Sequence, residues 1–215
     1  MMQRPTPTKI YHITHIENLA SIIEAGGLFS DAKMIERGGP SVAVGMGEIK
    51  RRRLGLPVKC HPGSMVGEYV PFFFCPRSIM LYIFHMDNRE GLSYHGGQRP
   101  MVHLEFDADT VIEAADETDT PWAFTNANAA TDYAEFGSSV EEFGMIDWEA
   151  VPKNDFRSGR VKEAKQSEFL VKDFVPWEFV EQVGVYSDEF GQQAVEALAA
   201  VAHRPPVVVQ SGWYF

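Results

Sequence analysis

The stretch Ile10-Tyr-His-Ile-Thr-His-Ile-Glu-Asn-Leu-Ala-Ser-Ile-Ile-Glu-Ala-Gly-Gly-Leu28 organises the whole chain. Residues 10–14 are β-branched and aromatic, which predicts a strand. Apolar residues then recur at helical spacing over 16–23, and Gly26-Gly27 supplies the left-handed stop that a helix end favours. Thr14 and Glu17 stand three apart, as in a capping box. The stretch therefore predicts strand, cap, helix and turn.

The junction between this strand and this helix is a candidate binding site. Unpaired N–H groups at a helix start favour an anion or ribose hydroxyls. His12 and Thr14 would point the same way, because side chains on a strand alternate with a period of two. The same residues would also fit an ordinary cap beside a core histidine, so the local pattern supports both interpretations.

Composition indicates a soluble, cytoplasmic protein. The chain has 215 residues, 45% of them hydrophobic, which is enough for a substantial core. No apolar run reaches the roughly 20 residues that cross a bilayer, and the N-terminus lacks a signal-peptide core. Cys60 and Cys75 lack metal-type spacing, which predicts two reduced, structural thiols. We expect no metal and no membrane partner.

Charge is distributed unevenly along the chain. The net charge of −11 opposes binding of nucleic acid as a whole. Residues 50–59, however, hold five Lys and Arg with no acid, and residues 153–172 hold six with three acids. Such windows are typical of a basic groove on an acidic protein, although two solvated faces would give the same pattern.

The remaining pattern predicts an α+β fold. Residues 29–47 lack a sustained period and predict a long functional loop, followed by a basic helix over about 46–54. Strands are predicted at 69–75, at 100–106 with one solvated face, at 166–171, at 182–186 and within 207–215. Helices are predicted at 76–85, 107–115, 128–136 and 188–203, with a helical turn at 176–180. Strands and helices mix without regular βαβ alternation, which indicates α+β.

Glu168 is the acid with the clearest chemical interpretation. It follows the second basic window and opens the apolar strand at 166–171. A carboxylate there could bind a ribose hydroxyl and stabilise positive charge that develops on a sugar carbon. The alternative is a solvent-facing glutamate at a strand start.

Five motifs in the same order resemble the DarT family of DNA ADP-ribosyltransferase toxins. They are Tyr11-His-Ile-Thr-His-Ile-Glu-Asn-Leu19, Lys50-Arg51 ahead of Pro57-Val58, Gly67-Glu-Tyr-Val-Pro-Phe-Phe-Phe74 with Pro76-Arg-Ser78, Ser167-Glu-Phe-Leu-Val171 and Ser211-Gly-Trp-Tyr-Phe215. The sequence departs from the family pattern between residues 50 and 64, where Leu54-Gly-Leu replaces more polar residues and 59–63 resembles a small insertion. Counting back from Pro57 selects Arg51 as the family's arginine, whereas counting forward from Ile49 selects Arg53.

The resemblance implies one domain over residues 1–215 with an ADP-ribosyltransferase fold, a split mixed β-core surrounded by helices around an NAD cleft. In such a domain, 29–48 would cover NAD and 116–166 would be a substrate-reading loop. NAD would be the co-substrate, and nicotinamide would be released.

The resemblance also implies roles for particular residues. Glu168 would be the catalytic glutamate, and Arg51 the second catalytic residue. Because an arginine is effectively never neutral, Arg51 would polarise the base or a phosphate. The nucleotide would be held by residues of the first stretch: His12, Ile13, Thr14, Asn18, Ser21 and Leu28.

The acceptor implied by the resemblance is thymidine in single-stranded DNA, modified in a sequence-specific way. Arg52, Arg53, Arg157 and Lys165 are the candidates for phosphate contacts. A cognate antitoxin that removes ADP-ribose would be the protein partner. The same chemistry on guanosine, a transferase acting on RNA or protein, and a binding module without activity remain as alternatives.

Overall fold

The fold is described from a computed structural model that covers residues 3–87 and 91–215. Within these residues the helices are α1 Leu19–Glu24, α2 Asp31–Glu36, α3 Gly47–Arg53, α4 Ile79–Met86, α5 Ala108–Glu117, α6 Gly159–Ala164 and α7 Asp188–Ala197. The strands are β1 Lys9–His15, β2 Gly27–Phe29, β3 Tyr69–Phe73, β4 Met101–Asp107, β5 Trp122–Thr125, β6 Phe136–Gly137, β7 Glu168–Lys172, β8 Phe174–Pro176, β9 Gln182–Val185 and β10 Val207–Val209.

A mixed sheet with the strand order β10-β9-β4-β1-β3-β7-β5-β6 is the frame of the molecule. Strand β1 pairs with β4 along its whole length, from Lys9 opposite Asp107 to His15 opposite Met101. Its pairing with β3 is limited to Tyr11 opposite Phe73. The sheet therefore consists of two halves that meet at one register pair, and a cleft opens between β1 and β3.

Aromatic side chains join the two halves beneath this cleft. Phe72 is fully buried and packs edge-on against Phe106 of the first half, with ring centroids 5.0 Å apart. On its other side it contacts Phe169 of the second half, at 6.3 Å between centroids. Buried aromatic rings of this size contribute a large part of a core's hydrophobic stabilisation, so the division of the sheet does not divide the core.

A second, two-stranded sheet pairs β2 with β8 beside the cleft. Gly27 lies opposite Pro176, and a Cβ on Gly27 would stand 2.2 Å from the carbonyl oxygen of Val175. The preceding Gly26 has φ +79°, which confirms the predicted left-handed helix stop. This pair of glycines lets the chain turn from α1 directly into β2.

Most predicted elements are confirmed, including β1, the basic helix α3, the strands β3, β7 and β9, and the helices α4 and α5. The capping box is wrong: His15 is the cap, and its Nδ1 accepts from the backbone N–H of Glu17. The predicted solvated face of β4 is also wrong, because β4 is a central strand and five of its seven residues are buried.

Three further predictions of local structure are corrected. The segment 29–47 is not one irregular loop, since it contains the end of β2 and all of α2. The Ala-rich stretch 128–136 forms turns that lead into β6 rather than a helix, and its alanines are buried. Helix α7 ends at Ala197, and the C-terminal stretch supplies only β10 and a 3₁₀ turn at Ser211–Trp213.

None of the helices within the described ranges combines the length and the apolar character needed to cross a bilayer.

The buried His103 on β4 gives a testable pH dependence of stability. Its Nε2 donates to the carbonyl of Pro76 at 3.0 Å, and burial lowers the pKa of His103 to about 4. Below about pH 6.5 the unfolded chain therefore binds a proton at His103, whereas in the folded chain His103 stays neutral down to about pH 4. We expect the free energy of unfolding to fall by about 2 kcal/mol between pH 7 and pH 5 from this residue.

Urea unfolding at both pH values measures this loss. The control is His103→Gln, which keeps a donor for Pro76 and does not titrate, so its unfolding free energy should depend less on pH. Equal pH dependence of the two proteins would show that His103 is not the source.

Candidate active site

A cavity of about 680 Å³ occupies the cleft between the two halves of the sheet. This volume lies within the range of small-molecule sites. Its walls come from β1, α1, the segment 29–46, α3, β3 and α4, and Glu168 at the start of β7 lies among its lining residues. The two-residue period of β1 puts His12 and Thr14 on one face, and where β1 diverges from β3 residues 12–14 all line this space.

His12 spans the division of the sheet. Its Nδ1 donates to the carbonyl oxygen of Pro71 on β3 at 2.9 Å, because a carbonyl can only accept. Burial lowers the pKa of His12, so the ring is neutral at pH 7. Its Nε2 is then a hydrogen-bond acceptor on the cavity wall.

Asn18 anchors the segment that covers the cavity. Its Oδ1 accepts from the backbone N–H of Val42 at 2.8 Å, and its Nδ2 donates to the carbonyl of Val42 at 2.9 Å. The same Nδ2 lies 3.1 Å from Oγ1 of Thr14. Asn18 is buried, so these bonds hold residue 42 over the cleft as a neighbouring strand would.

Replacing Asn18 by alanine should therefore weaken nucleotide binding. The change leaves the polar backbone groups of Val42 without their partners and loosens the covering segment. We expect KM for the nucleotide to rise about tenfold while kcat changes less than threefold. Steady-state kinetics measures both values. Glu17→Ala is the matched control, because Glu17 is exposed and does not line the cavity; a fall in kcat at unchanged KM would contradict the role of Asn18.

Glu168 and Arg53 form a buried ion pair beside the cavity. Nη1 of Arg53 lies 2.9 Å from Oε2 and 3.1 Å from Oε1 of Glu168. Oε1 also accepts from the backbone N–H of Ala129 at 3.0 Å. Glu168 is 2% exposed and Arg53 is 7% exposed. A carboxylate that accepts from two donors in this way is fixed in position.

The second guanidinium nitrogen of Arg53 has no partner. Nη2 is buried and makes no hydrogen bond to any residue that the structure describes. A buried donor without an acceptor is costly, so its position indicates an acceptor supplied by a ligand. Arg53 and Glu168 both line the cavity, which places this donor and the carboxylate at the same site.

A second ion pair closes one wall. Nζ of Lys50 on α3 lies 2.9 Å from Oδ1 of Asp31 on α2, and both residues line the cavity. Both side chains are partly exposed, and an ion pair of that kind contributes little stability. Lys50 is therefore a cation that an anionic ligand could recruit at little cost.

Among residues 3–87 and 91–215, no group of three His, Cys, Asp or Glu side chains could hold a metal ion.

The family model described as "ssDNA thymidine ADP-ribosyltransferase, DarT" matches residues 11–215. The chain belongs to the DarT family. A DNA ADP-ribosyl transferase of Thermus aquaticus is 41% identical over 98% of this chain and 90% of its own length. A DNA ADP-ribosyl transferase of Mycobacterium tuberculosis is 29% identical over 99% of this chain and 91% of its own length.

Solved DarT structures share the fold. Thermus sp. 2.9 DarT in complex with ADP-ribosylated ssDNA matches with a TM-score of 0.88 and 33% identity, over 100% of this chain and 99% of that one. Thermus sp. 2.9 DarT in complex with NAD⁺ matches with a TM-score of 0.81 and 34% identity, over 99% of this chain and 100% of that one. The predicted family, the α+β ADP-ribosyltransferase fold and the class of enzyme, a DNA ADP-ribosyltransferase, are thus confirmed.

The residues predicted to hold the nucleotide all lie at the cavity. The lining includes His12, Ile13, Thr14, Asn18, Ser21 and Leu28. Much of the predicted covering segment 29–48 also lines it, through residues 29, 31, 34, 37, 39–42 and 44–46. Their roles in binding remain predictions, which the Asn18 variant tests in part.

Which arginine of α3 is catalytic stays a prediction, but the structure favours Arg53 over Arg51. Arg51 is exposed, does not line the cavity and forms no ion pair with the described residues. Arg53, predicted as a phosphate contact, is the residue that meets Glu168 instead. Neighbouring helical residues point about 100° apart, so only one of the three arginines on α3 can face the strand β7.

The second basic window does not form the predicted groove. Lys165 is 2% exposed, and its Nζ donates to the carbonyl of Val151 at 3.0 Å, so it cannot contact a phosphate in this structure. Burial also lowers the pKa of Lys165. Arg157 is exposed but paired with Asp155, two residues away, and lies outside the cavity lining. Arg52 is exposed and paired with Asp132, so its contact with a phosphate stays a prediction.

Among the cavity residues that the sequence analysis missed are two polar residues that line it together with Glu168. They are Gln166 and Asn128, with Asn128 Nδ2 3.4 Å from Oε1 of Gln166. A signal for Gln166 was present, because residues two apart at a strand start share a face and Glu168 was already a candidate. Asn128 carried no such signal, since it comes from a turn that was predicted to be a helix.

Proposed function

We propose that this DarT-family enzyme transfers ADP-ribose from NAD to thymidine in single-stranded DNA, in a defined sequence context, as the toxin of a toxin–antitoxin pair. The main observation in support of the proposal is the buried ion pair of Arg53 and Glu168 at the cavity that residues 12–14 help to line. The family model's description and the Thermus structure with ADP-ribosylated ssDNA support the choice of acceptor.

NAD fits the cavity as the co-substrate. The volume suits a ligand of this size, and the Thermus relatives are seen in complex with NAD⁺ and with carba-NAD⁺. The neutral His12 ring and the Thr14 hydroxyl offer hydrogen bonds to ribose hydroxyls or to an amide. Lys50 lies on the same wall and can meet the pyrophosphate.

Glu168 supplies the electrostatic part of the reaction. As the bond between nicotinamide and ribose breaks, its electron pair leaves with nicotinamide and positive charge develops on the sugar carbon. A fixed carboxylate in a dry site stabilises that charge without reorganising. An acceptor nitrogen of the base then attacks the sugar carbon, forms the new carbon–nitrogen bond and releases its proton to water.

Arg53 serves two tasks in this scheme. Its Nη1 holds Glu168 in place, and its unpartnered Nη2 can donate to an oxygen of the incoming base or of a phosphate. Because a guanidinium is effectively always protonated, Arg53 polarises the acceptor and does not remove its proton. A base inside a duplex hides the edge that must react, so a single strand is the accessible substrate.

The proposal is tested with the purified protein, NAD and oligonucleotides that lack one base at a time. Mass spectrometry should show one added ADP-ribose on single strands that contain thymine, and none on duplexes or on strands without thymine. Modification that follows guanine instead would select the guanosine reaction. NAD consumed with all DNA unmodified would select an RNA or protein acceptor, and no NAD consumption would indicate a binding module.

The toxin role is tested in cells. ADP-ribose on DNA bases would block replication, so expression should arrest growth, and co-expression of a hydrolase that removes ADP-ribose from DNA should restore it. A cognate antitoxin with such an activity is the partner that we propose. Normal growth of cells that carry modified DNA would contradict the toxin role and leave the enzymatic proposal intact.

A further inference from the structure

The turn segment 126–135 connects the active site to the protein surface. At one end, Asn128 lines the cavity and the backbone N–H of Ala129 donates to Glu168 at 3.0 Å. At the other end, the segment lies on the basic window of α3, where Arg52 Nη2 is 3.1 Å from Oδ1 of Asp132. The segment therefore reaches from the reacting groups to exposed arginine side chains.

Hydrogen bonds join the two ends of the turn segment 126–135 to each other and attach the segment to Lys59. Asn126 Nδ2 donates to Glu135 Oε2 at 2.8 Å, and the backbone N–H of Glu135 donates to Asn126 Oδ1 at 3.1 Å. Nζ of Lys59 donates to the carbonyl oxygens of Asp132, at 2.9 Å, and of Ala134, at 2.6 Å. A side chain on this segment is therefore presented from a fixed backbone.

Tyr133 projects from this fixed backbone into solvent. It is 66% exposed, whereas Ala130 and Ala134 on the same turns are buried. Of the large hydrophobic side chains that are exposed in the described residues, Tyr133 is the only aromatic one. Its polar neighbours are already engaged, because Asp132 pairs with Arg52 and Glu135 with Asn126. Packing of the fold does not account for an aromatic ring at this position.

We propose that Tyr133 stacks on a base beside the target nucleotide and so holds the strand in register with the cavity. Tyr133 follows Ala129 by four residues, so its Cα lies at most about 14 Å from the residue that contacts Glu168. That distance is within the reach of the nearest nucleotides. Aromatic rings bind bases of single strands by stacking, and Arg51 and Arg52 supply the positive charge that attracts the backbone.

The proposal rests on the proposed DNA reaction and makes Tyr133 a positioning residue for it. Stacking tolerates any base but requires that a base be present. Replacement of one neighbouring nucleotide by an abasic site should thus have the same effect as removal of the tyrosine ring, and the two changes together should have no further effect.

The experiment compares wild type, Tyr133→Ala and Tyr133→Phe on single strands that contain one thymine and an abasic site at each flanking position in turn. On the intact strand, Tyr133→Ala should raise KM for DNA about tenfold, with kcat changed less than threefold, and Tyr133→Phe should match wild type. One abasic position should reduce kcat/KM about tenfold for wild type and leave Tyr133→Ala unchanged. NAD hydrolysis without DNA should be equal in all three proteins. Val195→Ala, at an exposed apolar residue of α7 outside the cavity lining, is the matched control.

Several results would overturn the inference. Equal DNA kinetics for Tyr133→Ala and wild type would exclude a contact with the strand. If the effects of Tyr133→Ala and of an abasic site on kcat/KM were additive at every position, stacking would be excluded. Loss of function in Tyr133→Phe would assign the effect to the hydroxyl. A parallel loss of NAD hydrolysis would assign it to the fold of the active site. These failures leave DNA modification by wild type intact, whereas a failed function proposal is seen as a wild type that modifies no DNA.

Discussion

Glu168→Gln is expected to lower the rate of ADP-ribose transfer about 10²- to 10³-fold. The carboxylate is buried and fixed by Arg53 and by the Ala129 N–H, so its charge acts on the reacting sugar without screening by water. Loss of one preorganised electrostatic partner of this kind has that effect on kcat in other enzymes. The amide is isosteric and can still accept from Arg53 and Ala129. Single-turnover transfer to a thymine oligonucleotide measures the step.

Glu196→Gln is the matched control for this variant. Glu196 is an exposed glutamate on α7 and does not line the cavity. Its variant should transfer ADP-ribose at the wild-type rate. Binding of NAD to Glu168→Gln, measured by calorimetry, should remain within a few-fold of wild type. Wild-type turnover by Glu168→Gln would contradict the assigned role.

The second large effect is expected at Arg53, and it separates the three consecutive arginines of α3. Arg53→Ala should lower kcat/KM for DNA at least 100-fold, because it removes both the anchor of Glu168 and the unpartnered donor Nη2. Arg51→Ala should lower kcat/KM less than tenfold, through KM, because Arg51 is exposed and does not line the cavity. Kinetics of the two variants over a range of salt concentrations decides between them.

Stability must be measured beside activity for Arg53. Removal of one partner of a buried ion pair leaves the other charge unpaired and typically costs about 3–5 kcal/mol. We therefore expect a lower melting temperature for Arg53→Ala, and the double variant with Glu168→Gln should recover part of that loss because no buried charge remains. An active Arg53→Ala with an inactive Arg51→Ala would restore the assignment that the family motif favoured.

The arginine shows what a sequence pattern can and cannot determine. The motif fixed the helix α3 and its run of arginines, but three identical side chains in a row carry no information about which one faces inward. That choice depends on the rotation of α3 about its own axis relative to β7. Leu54 follows α3 and packs over Gly67, where a Cβ would lie 2.7 Å from Leu54 Cδ2, so the end of the helix meets a residue outside it.

Lys165 illustrates the same limit for charge. A window rich in Lys and Arg predicted a groove for phosphates, yet Lys165 is buried against Val151, and Arg160 pairs with Asp147 and Glu149. The two acids that pair with Arg160 are 13 and 11 residues away in sequence and lie outside the window. A count of charges within the window ignores ion pairs with acids outside it, so it overestimates the number of unpaired cations.

The sequence by itself determined the elements whose signals are local, namely the strand β1, the Gly26 stop, the α3 helix and the glutamate that opens β7. It also determined the family through motifs kept in order along the chain. Only the tertiary structure decided that β1 separates from β3 to form the cleft, that Asn18 holds Val42 over it, and that Arg53 meets Glu168. The physical reason is range: propensities, caps and turns act over a few residues, whereas these contacts join residues up to 115 apart, and their geometry depends on packing of the whole core.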